Sequence, residues 1–363
     1  MTEQAKPLRG VQIVTLAQQF PGPYACSILA DLGADVVLVE GPDRRDPTRR
    51  FEGHFLAVGR NQRGVVLDLK TEEGICGMHE LLEGADVFIE GFRPGVAARL
   101  GLSSEALRER YPRLVCVSVS AFGQTGERAS HGAHDLVVQA MAGLIREDDD
   151  EANGSPLPLA DLAAATFAVI GVLAALLGRS SRGVGSAVDV SMLDCLMSWN
   201  AAALVARANH LTAAPFPPRD PAYGVFPVGS GERVALGVAG EDTQWNVLCE
   251  VLGCDDLMGI PTAEREARRD ELRLRLAEAL ALVDDAEGLV CRLTAAGVSA
   301  GRVFDLDDVV TDPHVVNRKI LVPVEEAPDL RVVRQPLIFD GEVSTVERGY
   351  PAAHDVPLAV ADH

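Results

Sequence analysis

A chain of 363 residues with 53 acidic and 33 basic side chains, a formal charge of −20, repels nucleic acid and anionic membranes at long range, so neither is an expected partner. Its length suits one large domain with a smaller companion, or two of medium size. Seven cysteines, odd in number and never in a CxxC pair, read as buried thiols rather than a disulfide framework or zinc site, and "MTEQAKPLRG" lacks the charged-then-apolar layout of a signal peptide, so the expected location is the cytoplasm.

In chain order, "VQIVTLA" predicts a buried strand, "YACSILADLGA" a helix ending at glycine, and "DVVLVEG" the next strand. "GVVLDL" and "DVFIEGF" repeat the strand pattern around the helix "EEGICGMHELLEGA", and "LVCVSVSAF" follows "SSEALRERYP". Such alternation builds a parallel sheet covered on both faces. After the first strand stands "FPGPYA" rather than GxGxxG, so the nicotinamide dinucleotide fingerprint is missing.

Residues 123–158 are loop-rich apart from a helix "DLVVQAMAGLI", and the acidic "REDDDEANGSP" reads as a solvated turn. Beyond Asp161 no charge recurs until Arg179. The apolar run from Leu162 to Leu177 is shorter than the ~20 residues of a membrane span and rich in alanine, which predicts a buried helix. "SAVDVSMLDCLMSWNAAALVARANH" continues as a strand and helix, and the proline-rich "AAPFPPRDPAYG" marks a domain boundary. A hairpin ("GVFPVGSGERVALGVAG"), helices including the charged "AEREARRDELRLRLAEALALV", and tail strands from "ILVPVEE" to "RVVRQPLIF" complete the chain.

Several residues could carry chemistry. Arg44, Arg45, Arg49 and Arg50 are bunched, and Arg60, Arg63 and Lys70 follow. A positive pocket in a negative protein suits a small polyanion such as a phosphorylated cofactor; the alternative is pairing with neighbouring acids on a solvated face. Asp161, heading an apolar helix, is either a helix cap or a nucleophile toward an activated acyl group. A helix N-terminus lowers its pKa and burial raises it. His134 precedes Asp135, a plausible N-cap, and is either a proton carrier or simply hydrogen-bonded; His131 is nearby. No third ligand lies at metal-binding spacing, so no metal is expected. Ser191 lacks the GxSxG elbow of a serine hydrolase.

The blocks "PGPYACSILADLGADVVLVEGP", "GRNQRGVVLDLK", "EGFRPGVAARLGL", "SVSAFGQTG", "HDLVVQAMAGLI", "DLAAATFAVIGVLAALLGR" and "DPHVVNRK" occur in this order. Over nearly the whole chain they resemble the class III CoA-transferase family, the carnitine-dehydratase and bile-acid-inducible family, which includes formyl-CoA transferase and α-methylacyl-CoA racemase. The resemblance implies an α/β protein. A large CoA-binding domain with a Rossmann-like parallel sheet (residues 1–215 plus 325–363) would accompany a smaller α+β domain (216–324), in an interlocked homodimer. It puts the family's catalytic aspartate at Asp161. CoA contacts fall on Phe20 and Pro21, on Leu67, Asp68, Leu69 and Lys70, on Gly91, Phe92 and Arg93, on Arg99, and near Gly132 and Ala133. Coenzyme A and its thioesters are then substrates, a small carboxylic acid is the second partner, and the arginines recognise phosphate.

Departures from the family pattern set up a second reading. Leu38 stands where a basic residue is common, and Gly91 where many transferases have asparagine. The His134–Asp135 pair resembles the racemases, whereas "DLVVQAMAGL", "VDVSMLD" and "LAAAT" resemble the transferases. The resemblance therefore implies CoA transfer through an aspartyl mixed anhydride and an aspartyl-CoA thioester. The alternative is racemisation of a 2-methylacyl-CoA by His134 and Asp161, and a non-catalytic subunit is a third class. The acyl pocket is expected near Tyr223 and Glu241–Trp245.

Overall fold

Runs of β-branched residues whose side chains alternate in direction build the central sheet. The computed structural model describes residues 6–43, 46–145, 155–213 and 218–351. Contacts divide the chain into two units, one running to Leu204 and resuming at His314, the other Val205–Pro313. The first crossing lies inside a helix, upstream of the proline-rich stretch.

The first unit contains β1 (Gln12–Thr15), α1 (Pro21–Asp31), β2 (Asp35–Glu40), α2 (Glu52–Gly59), β3 (Gln62–Val66), α3 (Glu72–Glu83), β4 (Val87–Glu90), α4 (Val96–Arg99), α5 (Ser104–Arg110), β5 (Val115–Ser120), α6 (Asp135–Met141), α7 (Leu159–Arg182), β6 (Ala187–Ser191) and α8 (Met192–Trp199). The six strands are parallel, in the order β3-β2-β1-β4-β5-β6. The sheet is doubly wound, and its strand order reverses between β1 and β4. Ile13, Val36, Val87 and Val115 pack on one face with residues of α1 and α7. Their neighbours Val14, Val37, Phe88 and Cys116 pack on the other with Met78, Leu82 and Leu107.

Helix α7 is longer than the apolar run suggests, at 24 residues. Gly183, left-handed at φ 77, ends it by donating its N–H to the Arg179 carbonyl. Length and composition alone would let this helix cross a membrane. Here Ala160, Ala163, Ala164, Ala165, Ala168 and Ala175 are buried in the core with Ala25 and Ala30 of α1. Ile170, Leu173 and Leu177 point outward.

After α9 (Ala201–Ala208), the second unit has β7 (Tyr223–Pro227), β8 (Arg233–Gly237), α10 (Asp242–Leu252), α11 (Thr262–Ala267), α12 (Arg269–Leu280), α13 (Ala286–Ala295), β9 (Ala300–Arg302) and α14 (Leu306–Thr311). Strands β7, β8 and β9 form an antiparallel sheet. The predicted charged helix is two, broken at Arg268, whose guanidinium binds Glu264 and Glu271. Trp245 is fully buried and donates from Nε1 to the Leu257 carbonyl at 2.8 Å. That corrects its expected place in an acyl pocket: it is a core residue.

The returning chain adds α15 (Pro313–Asn317), the antiparallel pair β10 (Leu321–Val324) and β11 (Ala327–Val333), and the pair β12 (Ile338–Phe339) and β13 (Glu342–Val343). Asp31 fastens it. This buried carboxylate accepts from Arg60 Nε at 3.0 Å, Asn61 Nδ2 at 2.9 Å and the Gln335 N–H at 2.8 Å. Five cysteines are buried, but Cys76 and Cys291 are exposed, and all seven are free.

Candidate active site

A doubly wound sheet opens a crevice where its strand order reverses, beyond the carboxyl ends of the strands. Here the segments leaving β1 (residues 17–22) and β4 (91–94), the loop 131–134 and the start of α7 enclose a cavity of about 500 Å³. Small-molecule sites span roughly 300–1,000 Å³.

The β1 wall depends on a glycine. A Cβ on Gly22 would lie 2.2 Å from the Ala17 Cβ, so only glycine lets α1 begin this close to the strand it follows. Pro21 opens α1, and no side chain caps it. Gln19 adopts φ 70, an uncommon conformation for its type, and donates its N–H to Asp46 Oδ2 at 3.0 Å. On the β4 wall, Glu90 accepts from the Phe92 N–H at 2.7 Å and holds the turn. Burial pushes the Glu90 pKa up, against the hydrogen bonds from Ser118 and Phe92. A Cβ on Gly132 would meet the Arg93 guanidinium at 2.7 Å, so this glycine makes room for the arginine.

The third wall is the lead-in to α7. Asp161 sits in the first turn of that helix but does not cap it; the N-cap is Pro158, which supplies no side-chain hydrogen bond. Asp135 takes that role from α6, accepting at Oδ1 from the Ala160 N–H at 2.7 Å and the Asp161 N–H at 3.3 Å. Nor is Asp135 the N-cap of its own helix: that residue is His134, whose ring makes no capping bond. The half-buried Asp161 carboxylate thus lines the cavity with no hydrogen-bond partner among the described residues. Burial, and then the nearby Asp135 charge, push its pKa from 3.8 to about 7.

The cavity brings together Phe20, Pro21, Gly91, Phe92, Arg93, Gly132, Ala133, His134 and Asp161. Residues 67–70 and Arg99 are not part of its lining. They stand at the end of β3, where Asp68 accepts from the Lys70 N–H at 3.1 Å, and at the last residue of α4. Three of the bunched arginines are paired with acids: Arg49 Nε with Glu40 at 2.8 Å, Arg60 Nε with Asp31 at 3.0 Å, Arg63 Nε with Asp35 at 2.8 Å. Arg50 stacks on Phe51 at 4.8 Å, and Arg44 and Arg45 lie outside the described residues. Arg49, Arg60 and Arg63 therefore pair with acids, as the alternative has it, but the Arg60–Asp31 pair is buried rather than on a solvated face.

Two polar groups in the cavity wall escaped sequence reasoning. His54 Nε2 and Ser120 Oγ are buried and have no hydrogen-bond partner among the described residues. Buried polar atoms are normally satisfied, so an orphaned pair on one cavity suits a ligand's polar groups. His54 packs edge-on against Phe20, with ring centroids 5.1 Å apart. No local motif marks either residue; each is identified only by what the fold leaves unbonded.

The sequence profile described as CoA-transferase family III matches residues 8–355. Succinate–glutarate CoA-transferase of Agrobacterium fabrum is 30% identical over 378 residues, covering 97% of this chain and 94% of that protein. Acetyl-CoA:oxalate CoA-transferase of Acetobacter aceti is 32% identical over 333 residues, covering 87% and 85%. The crystal structure of a CAIB/BAIF family protein from Brucella suis superposes with a TM-score of 0.85 at 28% identity, over 97% of each chain. A six-stranded parallel sheet with its cavity at the point of reversal, and a profile match along almost its full length, establish that the chain belongs to CoA-transferase family III.

Proposed function

We propose that this protein moves coenzyme A from an acyl-CoA donor to a short carboxylic acid, with Asp161 as the nucleophile. The observation that carries this reading is the Asp161 carboxylate itself: half-buried, on the cavity wall, without a hydrogen-bond partner among the described residues, its pKa raised to about 7. A poorly solvated carboxylate with no hydrogen bond to satisfy it is a stronger nucleophile than one in water.

Asp161 attacks the donor thioester carbonyl; a C–O bond forms, the C–S bond breaks and the CoA thiolate departs, leaving a mixed anhydride. The thiolate attacks the aspartyl carbonyl and releases the donor's acid as its carboxylate. The acceptor carboxylate then attacks the aspartyl thioester, and the returning thiolate takes the acceptor's acyl group and frees Asp161. No net proton is gained or lost. Phe20, Pro21, Gly91, Phe92, Arg93, Gly132 and Ala133 would hold the thioester end of CoA, and residues 67–70 with Arg99 the more distant part. His54 and Ser120 suit the acyl oxygens. The relatives named above are transferases for succinate, glutarate and oxalate, which supports a short dicarboxylic acid as one substrate. Outward-facing Leu136, Val137, Met141, Ile170, Leu173 and Leu177 suit burial against a second copy, in keeping with an interlocked homodimer.

The test is mass spectrometry of the full chain mixed with succinyl-CoA and trapped with hydroxylamine or borohydride. A modification at Asp161, absent in Asp161→Asn, is expected; turnover of the donor with Asp161 unmodified rejects the route. Racemisation remains a second reading because His134 and Asp161 line the same cavity. It requires α-deuterium uptake by a 2-methylacyl-CoA without any acceptor acid, abolished in His134→Ala.

A further inference from the structure

We infer that Asp135, backed by Gln139, is a positioning residue that holds the first turn of α7 and so fixes where the Asp161 carboxylate stands in the cavity. The inference rests on the reading of Asp161 as nucleophile. Helices ordinarily satisfy their first N–H groups with a side chain at the N-cap. Pro158 at the N-cap cannot supply one, and the Asp135 carboxylate, from a different helix, accepts from Ala160 and Asp161 instead. One of those two bonds is made by the backbone of the proposed nucleophile itself. A local cap would swing with α7, whereas a cap on α6 ties the two helices together.

Gln139 stands one turn further along α6 and is only 2% exposed. Its Nε2 donates to Asp135 Oδ2 and to the Leu157 carbonyl at 3.4 Å. Its Oε1 accepts from the Ser155 N–H at 3.0 Å. Asp135 and Gln139 therefore grip residues 155–161 at four points, all on the backbone just before and at Asp161. The same placement puts one carboxylate beside another and opposes ionisation of Asp161. The other titratable or charged groups on this cavity are His54 of α2, Arg93 after β4, and His131 and His134 before α6. Of all these, Asp135 alone bonds to the backbone of Asp161.

The experiment compares wild type, Asp135→Ala, Asp135→Asn and Gln139→Ala as full chains. The readout is the single-turnover rate of Asp161 adduct formation from succinyl-CoA across about pH 5–9, beside steady-state KM. Misplacing a reacting group by about an ångström costs about 100-fold, so Asp135→Ala should slow adduct formation about 10–100-fold. Its KM should stay within about threefold, as for a loss confined to the reacting geometry. Asp135→Asn keeps an oxygen for both N–H groups and removes the charge. It should restore most of the rate at alkaline pH and move the midpoint of the profile to lower pH. Gln139→Ala should lower the rate in the same direction, by less. Wild-type rate and midpoint in Asp135→Ala overturn the inference. So does an Asn variant as slow as the Ala variant with an unmoved midpoint, and this variant carries the test if Asp135→Ala fails to fold. Absence of any Asp161 adduct in wild type instead removes the nucleophile, and the positioning role falls with it.

Discussion

The Asp161 carboxyl is raised from 3.8 to about 7 in the folded chain. Attack requires the ionised form, so kcat/KM for acyl-CoA should rise with pH and level off above about 7, as a pH–rate profile would read. Stability should move the other way. Between 3.8 and about 7 the folded protein holds a proton that the unfolded chain has released, so stability falls as pH rises through that window. Asp161→Asn removes the cost of a half-buried charge. We expect it to abolish transfer yet exceed wild type in stability by roughly 2–4 kcal/mol above about pH 7, with the gap closing toward about pH 4, measured by denaturant titration. His54 offers a second check. His54→Phe keeps the packing on Phe20 and deletes Nε2; loss of a hydrogen bond to a charged ligand should raise KM about tenfold.

At the scale of elements, the strands and their order of appearance were legible because each is a short β-branched run bounded by turn residues. Two of the cavity's glycines, Gly22 and Gly91, fall within the family blocks, but the close approaches that require glycine at Gly22 and Gly132 are set by Ala17 and Arg93 and were not legible there. What was not legible is pairing at long range. Asp161 looked like a cap because caps are usually local, while the actual acceptor, Asp135, is 26 positions away. The arginine bunch looked like a phosphate site because Asp31, Asp35 and Glu40, which take three of its members, are contributed by α1 and β2. The helix around Arg268 looked continuous because its break comes from backbone dihedrals, not from Gly or Pro. Gly22→Ala tests the packing of α1 on the exit of β1. A Cβ 2.2 Å from Ala17 forces the helix outward, and overpacking of this kind costs about 1–3 kcal/mol. Circular dichroism melts should show that loss, and acyl-CoA binding should weaken with it.

At the scale of the molecule, α6 and α7 expose Leu136, Val137, Met141, Ile170, Leu173 and Leu177, more apolar surface than isolated helices of a monomer usually leave open. Sedimentation equilibrium should therefore report twice the chain mass of 38.6 kDa; a monomer at micromolar concentration would reject the proposed dimer. The Asp31 cluster spans the chain differently, joining α1 to the segment that returns after the second unit. Removing one partner of a buried ion pair costs about 3–5 kcal/mol, so Arg60→Ala should be among the most destabilising single changes, read by the same denaturant titration.

That cluster also has a timetable. Asp31 and Gln335 are 304 residues apart, and ribosomes add about 5–20 residues per second, so roughly 15–60 seconds pass between synthesis of the acid and of its last donor. Once Ser191 has been added all six strands exist as polypeptide, while the carboxylate at the end of α1 still lacks its full set of bonds until Gln335 follows. Stalled nascent chains ending before Gln335 should accordingly be cut by protease in the first two hundred residues, and chains released a few residues beyond it should not.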